Sequence, residues 1–259
     1  MNLSLKGRYA LICGGSKGIG LAAAVEMSKL GCNITLAARH AESLHQAIKI
    51  LDRSQGQVHR FIAMDMSDPV GVKKRLSSVR PGFQIVLINS GGPKGGVMAE
   101  ASLQDLQAGF DSLILSAQMV LQHSLPTMRK DKHGRIINII SIGLKEPIPG
   151  LGVSNTIRGA MGNWAKTLAA ELGPDGITVN NVLPGYTLTD RMDTLMEQRA
   201  NKRGISKEEI VQEYIEKIPL RRLANPAEVG KVVAFLATDA AGYVNGVNLP
   251  VDGGYLHCL

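Results

Sequence analysis

Cysteine is scarce in this chain, with three in 259 residues, at Cys13, Cys32 and Cys258. Their number and spacing suit neither a disulfide scaffold nor a zinc site, which needs grouped ligands. Cys13 and Cys32 lie in apolar surroundings and read as small buried hydrophobes. Aromatic residues make up only 4%, too few for the stacking platforms on which RNA-binding proteins lay bases. No run of five or more lysines and arginines occurs, so nucleic acid is not an expected partner. No apolar run reaches the roughly 18 residues needed to cross a bilayer, so no membrane partner is expected either. The segment Met1–Lys6 has no apolar stretch before the first strand. A secretory signal is therefore not expected, and a cytoplasmic location is. Acidic residues are outnumbered, 22 against 29 basic ones, for a net charge of +7. A basic surface of that size suits anionic cofactors or acidic carrier proteins.

What the chain does have is apolar content of 44%, ordinary for a globular domain, and 29 glycines. Short aliphatic runs alternate with helical patterns. Strands are expected at Arg8–Cys13, Asn33–Ala38, Val58–Met64, Gln84–Asn89, Arg135–Ser141, Thr178–Leu183 and Gly246–Val251. Helices are expected at Gly18–Leu30, Ala41–Asp52, from Asp68-Pro69 onward, Leu103–Met128 and Asn155–Leu172. Continuous aliphatic strands alternating with helices predict one α/β domain, a doubly wound parallel sheet of seven strands covered on both faces. Residues 186–218 break the rhythm with a charged helical insert, Asp190–Ala200 then Lys207–Lys217. A solvated helical pair and a substrate lid both fit that insert.

The first strand runs into Cys13-Gly14-Gly15-Ser16-Lys17-Gly18-Ile19-Gly20. Glycines between a strand and a helix let the chain turn sharply and let a pyrophosphate approach backbone N–H groups at the helix N-terminus. The second strand ends Ala37-Ala38-Arg39, without the carboxylate that an NAD site places against the ribose hydroxyls. Arg39 and Lys17 instead bring two cations toward that place, which suits a ribose 2′-phosphate and predicts NADP(H) over NAD(H).

These motifs, with others along the whole length, resemble the short-chain dehydrogenase/reductase family, and within it the 3-oxoacyl-[acyl-carrier-protein] reductase-like branch. Asp65 and Met66 match the family's adenine-contacting segment, and Asn89-Ser90-Gly91-Gly92 stands for its Asn-Asn-Ala-Gly loop. Pro184-Gly185 with Thr187 and Thr189 matches the segment that holds the nicotinamide carboxamide. Asn225–Glu228, Phe235–Ala237 and Val251–Gly254 match its C-terminal signature. The resemblance implies a Rossmann-type fold, hydride transfer to a carbonyl or acyl-thioester substrate, and a homo-oligomer, tetramer or dimer. In the family the oligomer forms through the helices expected here at Leu103–Met128 and Asn155–Leu172. The second of these carries Ala160, Met161, Trp164 and Leu168 at helical spacing. Core packing and an interface both account for that pattern.

The family's tetrad is Asn, Ser, Tyr and Lys. Ser141 matches the serine, which orients the substrate oxygen. An ungapped count places Leu113 at the asparagine, Ser154 at the tyrosine and Arg158 at the lysine. A serine hydroxyl is a far poorer acid than a phenol, and an arginine holds its charge without passing a proton on. Arg158 is expected to stabilise a developing alkoxide instead. The proton then has to come from water, Ser154 or a loop residue such as Lys94 or Lys145. Two readings stand: an NADPH-dependent carbonyl reductase with a rearranged acid, and an NADP(H)-binding protein without ordinary turnover that serves as a sensor or partner subunit.

Overall fold

Each central strand is apolar on both of its faces, and that dictates what surrounds it. In the computed structural model, which describes residues 1–258, strand β1 (Tyr9–Cys13) sends Ala10 and Ile12 to one side and Leu11 and Cys13 to the other. The first pair packs with helices α1 (Gly18–Lys29), α2 (Ala41–Lys49) and α9 (Pro226–Ala237). The second pair packs with α3 (Pro69–Leu76), α5 (Ser116–Asp131) and α6 (Gly152–Leu172). The seven strands are all parallel, in the order β3-β2-β1-β4-β5-β6-β7. They form the expected doubly wound Rossmann-like domain. The chain runs outward from β1 through β2 (Asn33–Ala38) to β3 (Arg60–Ala63). It then returns to β4 (Ile85–Ile88) and proceeds the other way through β5 (Gly134–Ile139), β6 (Ile177–Pro184) and β7 (Asn248–Val251). The reversal between β1 and β4 opens a crevice at the strands' C-terminal ends, where ligands of such sheets bind.

Several boundaries differ from the sequence expectation, for local reasons. β3 begins at Arg60 because Val58 donates its N–H to the Asn33 side chain (2.8 Å) and so leaves the ladder. The helix expected over Leu103–Met128 is interrupted. It consists of α4 (Leu103–Phe110), a π-helical turn over Asp111–Leu115, and α5, which runs on to Asp131. Periodicity cannot reveal a single wide turn, since it shifts the apolar stripe by only one residue. α6 starts at Gly152 rather than Asn155, because the loop after β4 zips onto its first residues. Gly96 donates to the Gly150 carbonyl (2.8 Å) and Gly152 to that of Gly96 (3.0 Å).

A side-chain ladder crosses β5, β6 and β7 inside the sheet. Asn138 donates to Asn181 (2.8 Å), which donates to Asn248 (2.7 Å), at positions that are also backbone register partners. Helices α7 (Asp190–Arg203) and α8 (Lys207–Lys217) form a separate small core around Met196, Ile210, Tyr214 and Ile218. No helix among the described residues is long and apolar enough to cross a membrane.

Candidate functional site

The glycine-rich loop is shaped by close backbone approach. Gly14 has φ +61°, and a Cβ there would stand 2.5 Å from the Asn89 carbonyl oxygen. A Cβ on Gly20 would stand 2.3 Å from the Gly14 carbonyl oxygen. The Asn89 amide donates to that same carbonyl (3.3 Å), fastening the end of β4 to the loop. α1 begins here without a side-chain cap, so its first-turn N–H groups remain open to an anion. They open into a cavity of about 1230 Å³, larger than the roughly 300–1,000 Å³ of most small-ligand pockets.

Of the residues expected to hold a cofactor, Gly14, Ser16, Lys17, Gly18 and Ile19 line this cavity. So do Arg39, Asp65, Met66, Asn89, Gly91 and Thr189. The remaining four are not part of its lining. Gly20 packs on Gly14, and Pro184 ends β6. Gly185 leaves no room for a side chain, since a Cβ would meet the Asp252 backbone at 2.7 Å. Thr187 is buried and donates to the Gly185 carbonyl (3.2 Å).

Arg39 is exposed at the cavity edge with no carboxylate bonded to it among the described residues, and His40 and Ser43 line the same corner. Lys17 differs from the expectation that it points to the ribose phosphate beside Arg39. Its ammonium is paired with Asp190 at the start of α7 (2.8 Å), across the cavity mouth. Both partners are largely solvated, so this pair is weak and an incoming phosphate can displace it.

Ser154 and Arg158, expected from the sequence at the tetrad's tyrosine and lysine positions, are bonded to each other, and Arg158 to the strand that leads to Ser141. Ser141 caps a short turn after β5, its hydroxyl accepting from the Gly143 N–H (3.0 Å) and keeping its own proton to donate. Ser154 and Arg158 lie one turn apart on α6, and Arg158 Nε donates to Ser154 Oγ (3.1 Å). Arg158 Nη1 donates to the carbonyls of Ile139 (3.4 Å) and Ile140, just ahead of Ser141. Burial pulls the Arg158 guanidinium down to about 10, and the neighbouring Arg191 adds to that, so it stays a cation at neutral pH. Gly91, Gly92 and Val153 line the cavity beside these side chains, and a Cβ on Gly92 would stand 3.1 Å from Arg158 Nη2. Ser154 is buried and already accepts from Arg158, which places it poorly to hand a proton to a ligand. Leu113 is buried in the π-helical turn and offers nothing polar. Of the loop candidates for proton delivery, Lys94 lines the cavity and Lys145 is not part of its lining.

Two residues here escaped the sequence reading. Asn155 clamps the loop before α6, accepting from the Ile148 N–H (3.2 Å) and donating to its carbonyl (2.9 Å). Arg191 reaches from α7 to the Gly92 carbonyl (3.3 Å). Its position two residues after Thr189 was the only signal, and in sequence it is one charge among many in a charged insert. Met161 is part of the core, and Trp164 and Leu168 pack against it, so packing accounts for three of the four residues considered for an interface.

Residues 14–256 match the family model described as Enoyl-(Acyl carrier protein) reductase. The chain belongs to the short-chain dehydrogenase/reductase family. Among its short-chain dehydrogenase/reductase relatives, the 3-oxoacyl-[acyl-carrier-protein] reductase FabG of Aquifex aeolicus is 30% identical over 98% of this chain and 99% of its own. The NADPH-dependent reductase BacG of Bacillus subtilis is 27% identical over 97% of this chain and 99% of its own. The structure of L-sorbose reductase from Gluconobacter frateurii, complexed with NADPH and L-sorbose, superposes with a TM-score of 0.93 at 31% identity, covering 100% of both chains. The relatives are oxidoreductases, which favours an enzyme over a cofactor-binding protein without turnover.

The residues present fit a nicotinamide dinucleotide. Open N–H groups at the α1 N-terminus meet a loop whose glycines exclude side chains, and Arg39 stands at the far corner. In this family the bound nicotinamide supplies a hydride.

Proposed function

We propose that the protein reduces a carbonyl substrate with NADPH, using an altered proton-delivery group. The observation that carries this reading is the cavity itself, which joins an uncapped helix N-terminus at one end to Gly91–Gly92, against the Ser154–Arg158 group, at the other. Arg39 confers the preference for NADPH over NADH, because it meets the ribose 2′-phosphate where an NAD site would place a carboxylate. Ser141 donates its hydroxyl proton to hold the carbonyl oxygen. Arg158, a fixed cation behind that position, stabilises the charge that develops on it. Solvent supplies the proton, with Lys94 at the cavity wall as the side-chain alternative. Losing a matched general acid costs about 10²–10⁴-fold. Holding the reactants together is worth about 7–11 kcal/mol and does not depend on that acid. A 3-oxoacyl thioester is a candidate substrate, after the Aquifex relative. The α7–α8 pair acts as a lid, and the chain assembles as a homo-oligomer.

The test is NADPH and NADH binding by fluorescence, with turnover of a short 3-oxoacyl thioester. Arg39→Asp should weaken NADPH about 10–100-fold, the loss of a charge-assisted phosphate contact, and leave NADH within a few-fold. An equal loss for both would remove the phosphate assignment. Tight NADPH binding without turnover on any carbonyl would remove the reductase reading.

A further inference from the structure

Two guanidinium groups converge on Gly92, and neither is paired with a carboxylate among the described residues. A Cβ on this glycine would stand 2.7 Å from Arg191 Nη2 and 3.1 Å from Arg158 Nη2. Arg158 Nη2 makes no hydrogen bond among the described residues, since that side chain bonds only through Nε and Nη1. Arg191 makes a single one, from Nη1 to the Gly92 carbonyl. Each guanidinium carries five N–H donors, so Arg158 keeps the pair on Nη2 and Arg191 keeps all but one. Neither arginine takes part in an ion pair among the described residues, whereas Arg129, Arg135, Arg203 and Arg222 all do.

Arg158 is half-buried and lies close enough to Arg191 for the second charge to disfavour the first. Two like charges brought together without a counterion cost free energy in the unliganded protein. An anion that bridges them reverses the sign of that cost, and a planar carboxylate matches the guanidinium fork in two parallel hydrogen bonds.

We propose that Arg191 and Arg158 form a subsite for a carboxylate carried by the substrate, so that an oxo acid is preferred over a neutral ketone of the same length. This rests on the reductase reading only for the word substrate; the anion subsite stands on the geometry. The cofactor's phosphates have a separate place, at the open N–H groups of α1 and at Arg39. Gly92 follows the end of β4, and beside it Val153 of α6 lines the same cavity. The absence of a side chain at Gly92 lets both guanidinium groups approach.

The test is calorimetric titration of the NADP⁺-saturated protein with hexanoate and, separately, with hexanamide, which has the same length and no charge. Hexanoate should bind at least about 10-fold more tightly. Arg191→Met should remove that preference while NADPH affinity stays within about twofold, and Arg191→Lys should keep part of it, as a point charge without the fork. Arg191 is exposed, so its replacement leaves the core intact, and a thermal melt of each variant checks this. Equal binding of hexanoate and hexanamide by the wild type overturns the proposal. So does a loss of NADPH affinity in Arg191→Met as large as the loss for hexanoate, because the pair would then serve the cofactor's pyrophosphate. Turnover of 3-oxohexanoate against its methyl ester is read separately. Intact hexanoate preference without turnover would remove the reductase reading and leave the subsite in place.

Discussion

The phosphate loop and the Ser154–Arg158 turn serve the two ends of one cavity, yet they are made of different material. The loop is backbone. Its function lies in uncapped N–H groups and in the room that Gly14 and Gly20 leave. The other end is side chains held by side chains: Arg158 on Ser154 and on two strand carbonyls, and Asn155 on its loop. A backbone site tolerates almost no substitution, because any Cβ collides with a neighbouring main chain. A side-chain site can be rebuilt with other residues that satisfy the same carbonyls. That difference accounts for the sequence reading, in which the glycine loop keeps the family's pattern while Leu113, Ser154 and Arg158 stand where its asparagine, tyrosine and lysine are expected.

The largest expected effect comes from restoring the side-chain end. Ser154→Tyr combined with Arg158→Lys should raise turnover of a neutral ketone by about 10²–10⁴-fold, the worth of a matched general acid. Ser154 is buried, so the new ring has to enter the cavity beside Val153, and crowding of about 1–3 kcal/mol will show in the melting temperature. No gain in a variant that still binds NADPH would mean that the far end has diverged beyond its acid.

Gly14→Ala probes the backbone end. The added methyl would press on the Asn89 carbonyl in a left-handed conformation, at a cost of about 1–3 kcal/mol that falls on cofactor binding and stability together. NADPH affinity should drop by about 10–100-fold. An unchanged affinity would refute the claim that this end works through backbone approach.

The smallest effect concerns the scaffold that both ends share. Burial is the main cause that holds His59, His123 and His133 below the ordinary histidine range. The unfolded chain therefore binds more protons than the folded one between those lowered values and about 6.5. Stability is full above that pH and is lost progressively as the pH falls below it. Thermal melts from pH 8 to 5 should show this decline beginning before the carboxylates titrate. A flat profile would mean that the three imidazoles take up protons equally in the folded and unfolded states.

Much of this was legible in the sequence because it obeys short-range rules. β2 and α8 fall on the expected residues, since both are bounded by their own chemistry, the second by the Ser206–Glu209 capping box. The π-helical turn at Leu113 was not legible, because an apolar residue satisfies the stripe on either side of it. Nor was the Lys17–Asp190 pair, whose members are 173 residues apart.

The sequence by itself determined the doubly wound sheet, the glycine loop and the presence of a serine and an arginine at positions 154 and 158. Those depend on periodicity, on steric exclusion and on residue identity at fixed spacing. Only the tertiary structure decided that Arg158 turns toward the strand carbonyls and that Arg191 arrives beside it from α7. Only it decided that no carboxylate among the described residues bonds to either. Where charges meet depends on how distant elements pack, and a linear pattern carries no record of that distance.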